Sequence, residues 1–112
     1  MAERILIIED DLNFKRVLEL RLKSFLVAPH VTHLDSLAKA REFLKEEALD
    51  DLDLVVLDEH LPDGRGVDLL TEGLFRDMAV LSVSSDDAPD IPGKAVGAGA
   101  AYFLSKVRVS EP

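Results

Sequence analysis

Residues 55–66 read VVLDEHLPDGRG. Val55, Val56 and Leu57 have the look of a strand buried on both faces, and the run ends on the carboxylate of Asp58. An acid at the rim of a core loses part of its hydration, so it needs a hydrogen-bond donor, a cation, solvent or a chemical task. Pro62, Gly64 and Gly66 then punctuate a loop, and Val67, Leu70 and Leu74 recur at the spacing of a short helix.

The same alternation runs outward in both directions. Upstream, Ile5-Leu6-Ile7-Ile8 is a continuous apolar strand, and Phe14, Val17, Leu18, Leu22 and Phe25 mark one side of a helix over residues 12–26, with Asp10 or Asp11 as its cap. Residues 30–34 predict a weaker strand, and Asp35 or Ser36 can cap a helix that carries Leu37, Ala40, Phe43 and Leu44 on one face. Leu54 to Leu57 is the third strand, residues 78–83 the fourth and Tyr102-Phe103-Leu104 the fifth. Parallel neighbours need crossover connections of about a dozen residues or more, so this alternation predicts an α/β fold, a doubly wound five-stranded parallel sheet with helices on both faces.

Two segments fit that plan poorly. Residues 86–99 stand where a crossover helix belongs, yet they hold Pro89, Pro92, Gly93, Gly97 and Gly99. Interior glycine costs about 1 kcal/mol relative to alanine and interior proline about 3, which predicts a short, late or irregular helix. The chain ends at Pro112, soon after the fifth strand, so the fold is expected to lack its last helix. A piece of a longer protein, or a second subunit over the uncovered face, would account for that.

At 112 residues the chain makes one domain, residues 1–112. Its net charge of −9 disfavours direct binding to nucleic acid or anionic membranes, both of which need a positive footprint, and suits a cation or a basic partner. With no cysteine, thiolate chemistry and zinc–thiolate sites are excluded. Acids at positions 9–11 interrupt the N-terminal apolar run before it reaches signal-peptide length, and no run approaches a membrane span, so a cytoplasmic location is the expectation.

Open α/β sheets place ligands at the carboxyl ends of their strands. Glu9 and Asp10 stand at the end of the first strand and Asp58 at the end of the third. Three carboxylates in one crevice repel, which calls for a bound cation, and an all-oxygen donor set favours Mg²⁺. The end of the fourth strand, Ser82-Val83-Ser84-Ser85, and the end of the fifth, Leu104-Ser105-Lys106, would bring a hydroxyl and an ammonium to the same crevice, groups that suit the oxygens of a phosphoryl group.

Four stretches in this order, ILIIEDD at 5–11, VVLDEHLPDGRG at 55–66, VLSVSS at 80–85 and GAAYFLSK at 99–106, resemble the receiver domains of two-component response regulators. The resemblance implies a flavodoxin-like sheet with strand order 2-1-3-4-5. It also implies Asp58 as phosphoacceptor for a phosphohistidine and Asp10 as direct Mg²⁺ ligand, joined by Asp58 and the backbone carbonyl of His60. Glu9 would act on the metal through water. Ser84 resembles the switch hydroxyl, Lys106 the cation that meets the phosphoryl group, and Phe103 the aromatic switch residue. Such a protein is a self-catalysing phosphoacceptor, with phosphotransfer and autodephosphorylation, rather than a conventional enzyme. Its implied partners are a sensor histidine kinase or phosphotransfer protein and an output domain or partner protein, with a homodimer as a further option.

Competing readings leave separate traces. LDLVVLDEH resembles the Walker B strand of an ATPase, but Gly93-Lys94 is followed by Ala95 and no suitably spaced glycine precedes it, so no phosphate-binding loop is present. An Asp-x-Asp phosphatase is excluded because His60 stands two residues after Asp58. The alternative that stays open is a receiver-like interaction module that is not phosphorylated; Val107, where the family often has proline after the lysine, is a departure in its favour.

Overall fold

The computed structural model describes residues 3–46, 52–73, 75, 78–84 and, as backbone, 102–105. Strand β1 (Arg4–Ile8) leads into helix α1 (Leu12–Phe25), β2 (His30–Leu34) into α2 (Leu37–Glu46), and β3 (Leu54–Asp58) into a small ribbon of β4 (His60–Leu61) and β5 (Gly64–Arg65). Helix α3 (Gly66–Thr71), β6 (Val80–Ser84) and β7 (Tyr102–Ser105) complete the order. The main sheet runs β2-β1-β3-β6-β7 with every pairing parallel. With the ribbon set aside this is the order 2-1-3-4-5, and the chain reverses direction across the sheet between β1 and β3.

Alternation along each strand sorts the core into two layers. Leu6, Ile8, Val55, Leu57 and Val80 face α2 and α3, where Leu37, Ala40, Leu44, Leu69 and Leu70 meet them. Ile5, Ile7, Val56 and Val83 face the other way, against Phe14, Leu18 and Leu22 of α1. Both faces are covered, which is why Ile5 to Ile8 and Val55 to Leu57 are continuous apolar runs rather than alternating ones. Among the described residues no helix is long and apolar enough to cross a membrane.

Helix starts are built from side-chain acceptors for otherwise unpaired backbone N–H groups. Asp11 caps α1, its Oδ1 accepting from Asn13 N at 2.9 Å and Phe14 N at 3.2 Å. At α2 the work is divided. Ser36 Oγ accepts from Lys39 N at 3.2 Å, while Leu37 N and Ala38 N donate to the two carboxylate oxygens of Asp63 at 2.8 and 2.9 Å. Asp35, the other expected cap, instead pairs with Lys39 Nζ at 2.9 Å.

The short helix after β3 differs from its sequence reading in one respect. Its buried residues are Gly66, Leu69 and Leu70, and Val67 is half-buried. Leu74, the segment expected to be an irregular crossover at 86–99, and everything after Ser105 lie outside the described residues.

Candidate functional site

Register brings the acids together. Ile8 pairs with Leu57, so the next residues of those strands, Glu9 and Asp58, leave the sheet side by side. Glu9 N donates to Leu34 O at 2.9 Å and Glu59 N to Val83 O at 2.9 Å, which extends the sheet's bonding one step past each strand. Carboxylate oxygens of Glu9, Asp10 and Asp58 all lie within 4.8 Å of one another.

The three acids differ in exposure. Glu9 is 0% exposed and Asp58 1%, whereas Asp10 stands in solvent and forms the open side of the cluster. Glu9 Oε1 accepts the backbone N–H of Asp11 at 2.9 Å, so the cap residue of α1 and the acidic turn before it hold each other in place. Burying two like charges beside a third is costly unless positive charge or hydrogen bonds compensate, and a divalent cation among three carboxylates is one such compensation. Hard oxygen donors at this spacing, with no thiolate available, fit Mg²⁺ or a similar ion.

The other residues singled out in the sequence are placed unevenly. Ser84 is fully buried at the end of β6, one residue past Val83, the register partner of Asp58. Its backbone pairs with Ser105, and Ser82 pairs with Phe103. Phe103 is therefore on β7 next to β6, with its side chain outside the described residues, as is all of Lys106. His60 is exposed and belongs to the ribbon, paired with Arg65.

The structure surrounds the site with supporting residues to which the sequence assigned no part in it. Glu59, beside Asp58, is 3% exposed, and its Oε1 takes Arg65 Nε at 2.8 Å, pinning the base of the ribbon. Gly66 lies directly against the Asp58 backbone carbonyl, where a Cβ would collide with that oxygen, and Gly66 N donates to Glu59 O at 2.9 Å. Asp63, at the tip of the ribbon, caps α2; the two N–H donors of Leu37 and Ala38 hold its carboxyl below the usual carboxylate range. A glycine at the start of the helix could have hinted at the close approach, but nothing local signals the long-range cap.

Comparison with known proteins agrees with this architecture. A family model for the response regulator receiver domain matches residues 5–110. The two-component response regulator ARR2 of Arabidopsis thaliana is 32% identical over 108 residues, covering 95% of this chain and 16% of that protein. The chain thus spans 16% of the length of this relative. Among solved structures, a phosphorylated cyanobacterial phytochrome response regulator, RcpA, superposes with a TM-score of 0.84 at 18% identity, over 98% of this chain and 90% of its own. A response regulator from Burkholderia pseudomallei, solved with a phosphorylated aspartic acid, a calcium ion and citrate, gives 0.78 at 21% identity, over 94% and 60%. These two likenesses are of fold.

Proposed function

The chain belongs to the response regulator receiver domains, and from that premise we propose that it is a phosphoacceptor switch in which Asp58 takes a phosphoryl group from a histidine kinase or phosphotransfer protein. The observation that carries the proposal is the cluster itself: Asp58 buried at a strand end, with Glu9 and Asp10 within 4.8 Å. A buried acid with two acidic neighbours makes a poor structural element and a good seat for a divalent ion and an incoming phosphoryl group.

In this reading an oxygen of the Asp58 carboxylate attacks the phosphorus of a phosphohistidine. The new O–P bond forms as the P–N bond breaks, and the electron pair of the broken bond returns to the imidazole. Asp10, Asp58 and the His60 carbonyl would hold Mg²⁺, and Glu9 would act on it through water. When bound, Mg²⁺ neutralises the phosphoryl oxygens and relieves the repulsion among the carboxylates. Reversal is by water attacking the phosphorus, which releases phosphate and restores the Asp58 carboxylate.

Ser84 and Lys106 then bind the phosphoryl oxygens better in one of two pre-existing conformers, and that difference in affinity drives the switch. Phe103, on the strand beside Ser82, reports the change to an output domain or partner protein in the cytoplasm. The net charge of −9 argues against direct nucleic-acid binding by this domain.

Incubation with Mg²⁺ and a small acyl-phosphate donor, followed by intact mass measurement, tests the proposal. A gain of one phosphoryl group that disappears in Asp58→Ala and without Mg²⁺ supports it. No gain in a folded protein favours the interaction module that is not phosphorylated.

A further inference from the structure

We infer that Asp63 is a positioning residue for the divalent-metal site, acting through the β4–β5 ribbon; the inference rests on the metal site proposed above. The loop from Glu59 to Arg65 is fastened at two places. Its neck is closed by Gly66 N on Glu59 O and by the Glu59–Arg65 ion pair. Its tip is fastened to a different element, through both carboxylate oxygens of Asp63 on the first two N–H groups of α2.

Packing follows the same line. Gly64, with φ +153°, passes so close to Leu37 that a Cβ there would lie 2.5 Å from Leu37 Cδ1. Leu37 itself is 2% exposed, in the same core layer as Leu61 of the ribbon. The first residue of α2 is thus held by Asp63 through its N–H and closely approached by Gly64 at its side chain. An isolated two-stranded ribbon is marginal at best, and this one has two residues per strand, so its shape depends on these ties.

The ribbon carries His60, paired with Arg65, and the His60 carbonyl is the neutral donor assigned to the ion. Cutting the tip loose widens the range of positions that carbonyl samples, and affinity for an ion that demands near-ideal octahedral geometry falls. The charge-assisted bonds from Leu37 N and Ala38 N are the restraint.

Calorimetric titration with Mg²⁺ of the unaltered chain, Asp63→Ala, Asp63→Asn and Glu72→Ala separates this role from general destabilisation. Glu72 forms a two-bond pair with Arg41 of α2, at 3.0 and 2.8 Å, so Glu72→Ala also removes one negative charge and one tie to α2 while leaving the bonds from Leu37 N and Ala38 N to Asp63 in place. Asp63→Ala is expected to weaken Mg²⁺ binding about tenfold, Asp63→Asn less because its amide carbonyl keeps one acceptor, and Glu72→Ala less than about twofold. Asp63→Asn serves as the folded test should the alanine variant fail to fold. Equal affinities for both Asp63 variants and the unaltered chain, or equal losses in Asp63→Ala and Glu72→Ala, overturn the inference. If the unaltered chain binds no Mg²⁺, or binds it as well after Asp10→Asn, the metal site itself is refuted and this role falls with it.

Discussion

Replacing Gly66 with alanine sets two known effects against each other at the residue that touches the Asp58 backbone. Gly66 is the first residue of α3, and no positive φ accompanies it, so alanine is conformationally allowed and should gain up to about 1 kcal/mol from helix propensity. The added Cβ would collide with the Asp58 carbonyl oxygen, and would lie 3.0 Å from the Asp58 carbonyl carbon and 3.1 Å from Leu57 Cγ. Two of these three atoms are backbone of the central strand, which cannot swing aside as a side-chain tip can. Overpacking typically costs about 1–3 kcal/mol, and the upper end applies where backbone must move.

The net effect of Gly66→Ala is therefore destabilisation by about 2 kcal/mol, and a fall in Tm of about 8 °C if each kcal/mol shifts a domain of this size by about 4 °C. Thermal unfolding followed by far-UV circular dichroism reads it directly. The same displacement moves Asp58, so acyl-phosphate labelling should slow as well. An unchanged or raised Tm would mean that propensity outweighs contact, and the close packing of α3 on Asp58 would be refuted.

Three further outcomes follow from the same geometry. Arg65→Ala leaves Glu59, whose side chain is 4% exposed, without its guanidinium partner; because Arg65 is itself half in solvent, the cost should be about 1–2 kcal/mol by urea denaturation, and no loss would remove the pair from the fold's support. Leu69→Ala empties a fully buried position between α3 and the sheet and should cost about 2–5 kcal/mol in the same assay, whereas a cost under about 1 kcal/mol would place Leu69 outside the core. Asp63 and Glu72 have lowered carboxyl values, the first from the N–H donors of Leu37 and Ala38 and the second from Arg41, against ordinary values of 3.8 and 4.5. The stability each contributes is present above its ordinary value and is lost as pH falls through the lowered folded value. Tm measured from about pH 5 to pH 2 should therefore fall less steeply in Asp63→Asn than in the unaltered chain, and parallel curves would contradict the assignment.

What the sequence made legible was the part governed by short-range pattern. Ile5 to Ile8 and Val55 to Leu57 are apolar without interruption because both sheet faces are covered, and Asp11 caps α1 from the adjoining position. The candidate site was legible as strand-end acids, yet Glu9, which reads as easily as a solvated cap, is buried because the register sets it beside Asp58. Register is a property of two strands and is written in neither alone. The α2 cap was assigned to Asp35 or Ser36 because local acceptors are all that spacing can offer, whereas Asp63 reaches Leu37 and Ala38 from 26 and 25 positions away. The ribbon of His60-Leu61 and Gly64-Arg65 has strands too short to show a period of two, and a helix of six residues too few turns to distinguish Leu69 from Val67 as the inward position.

The destination of the phosphoryl group tests the proposed role of Asp58 most directly. After incubation with Mg²⁺ and a small acyl-phosphate donor, hydride reduction of the acyl phosphate, followed by proteolysis and tandem mass spectrometry, marks the accepting carboxyl as the corresponding alcohol. The mark is expected at Asp58 alone, with none at Glu9, Asp10 or Glu59, although all three lie at or beside the same site. A mark on any of those three with Asp58 unmodified, or no mark in a folded and metal-loaded protein, would contradict that role.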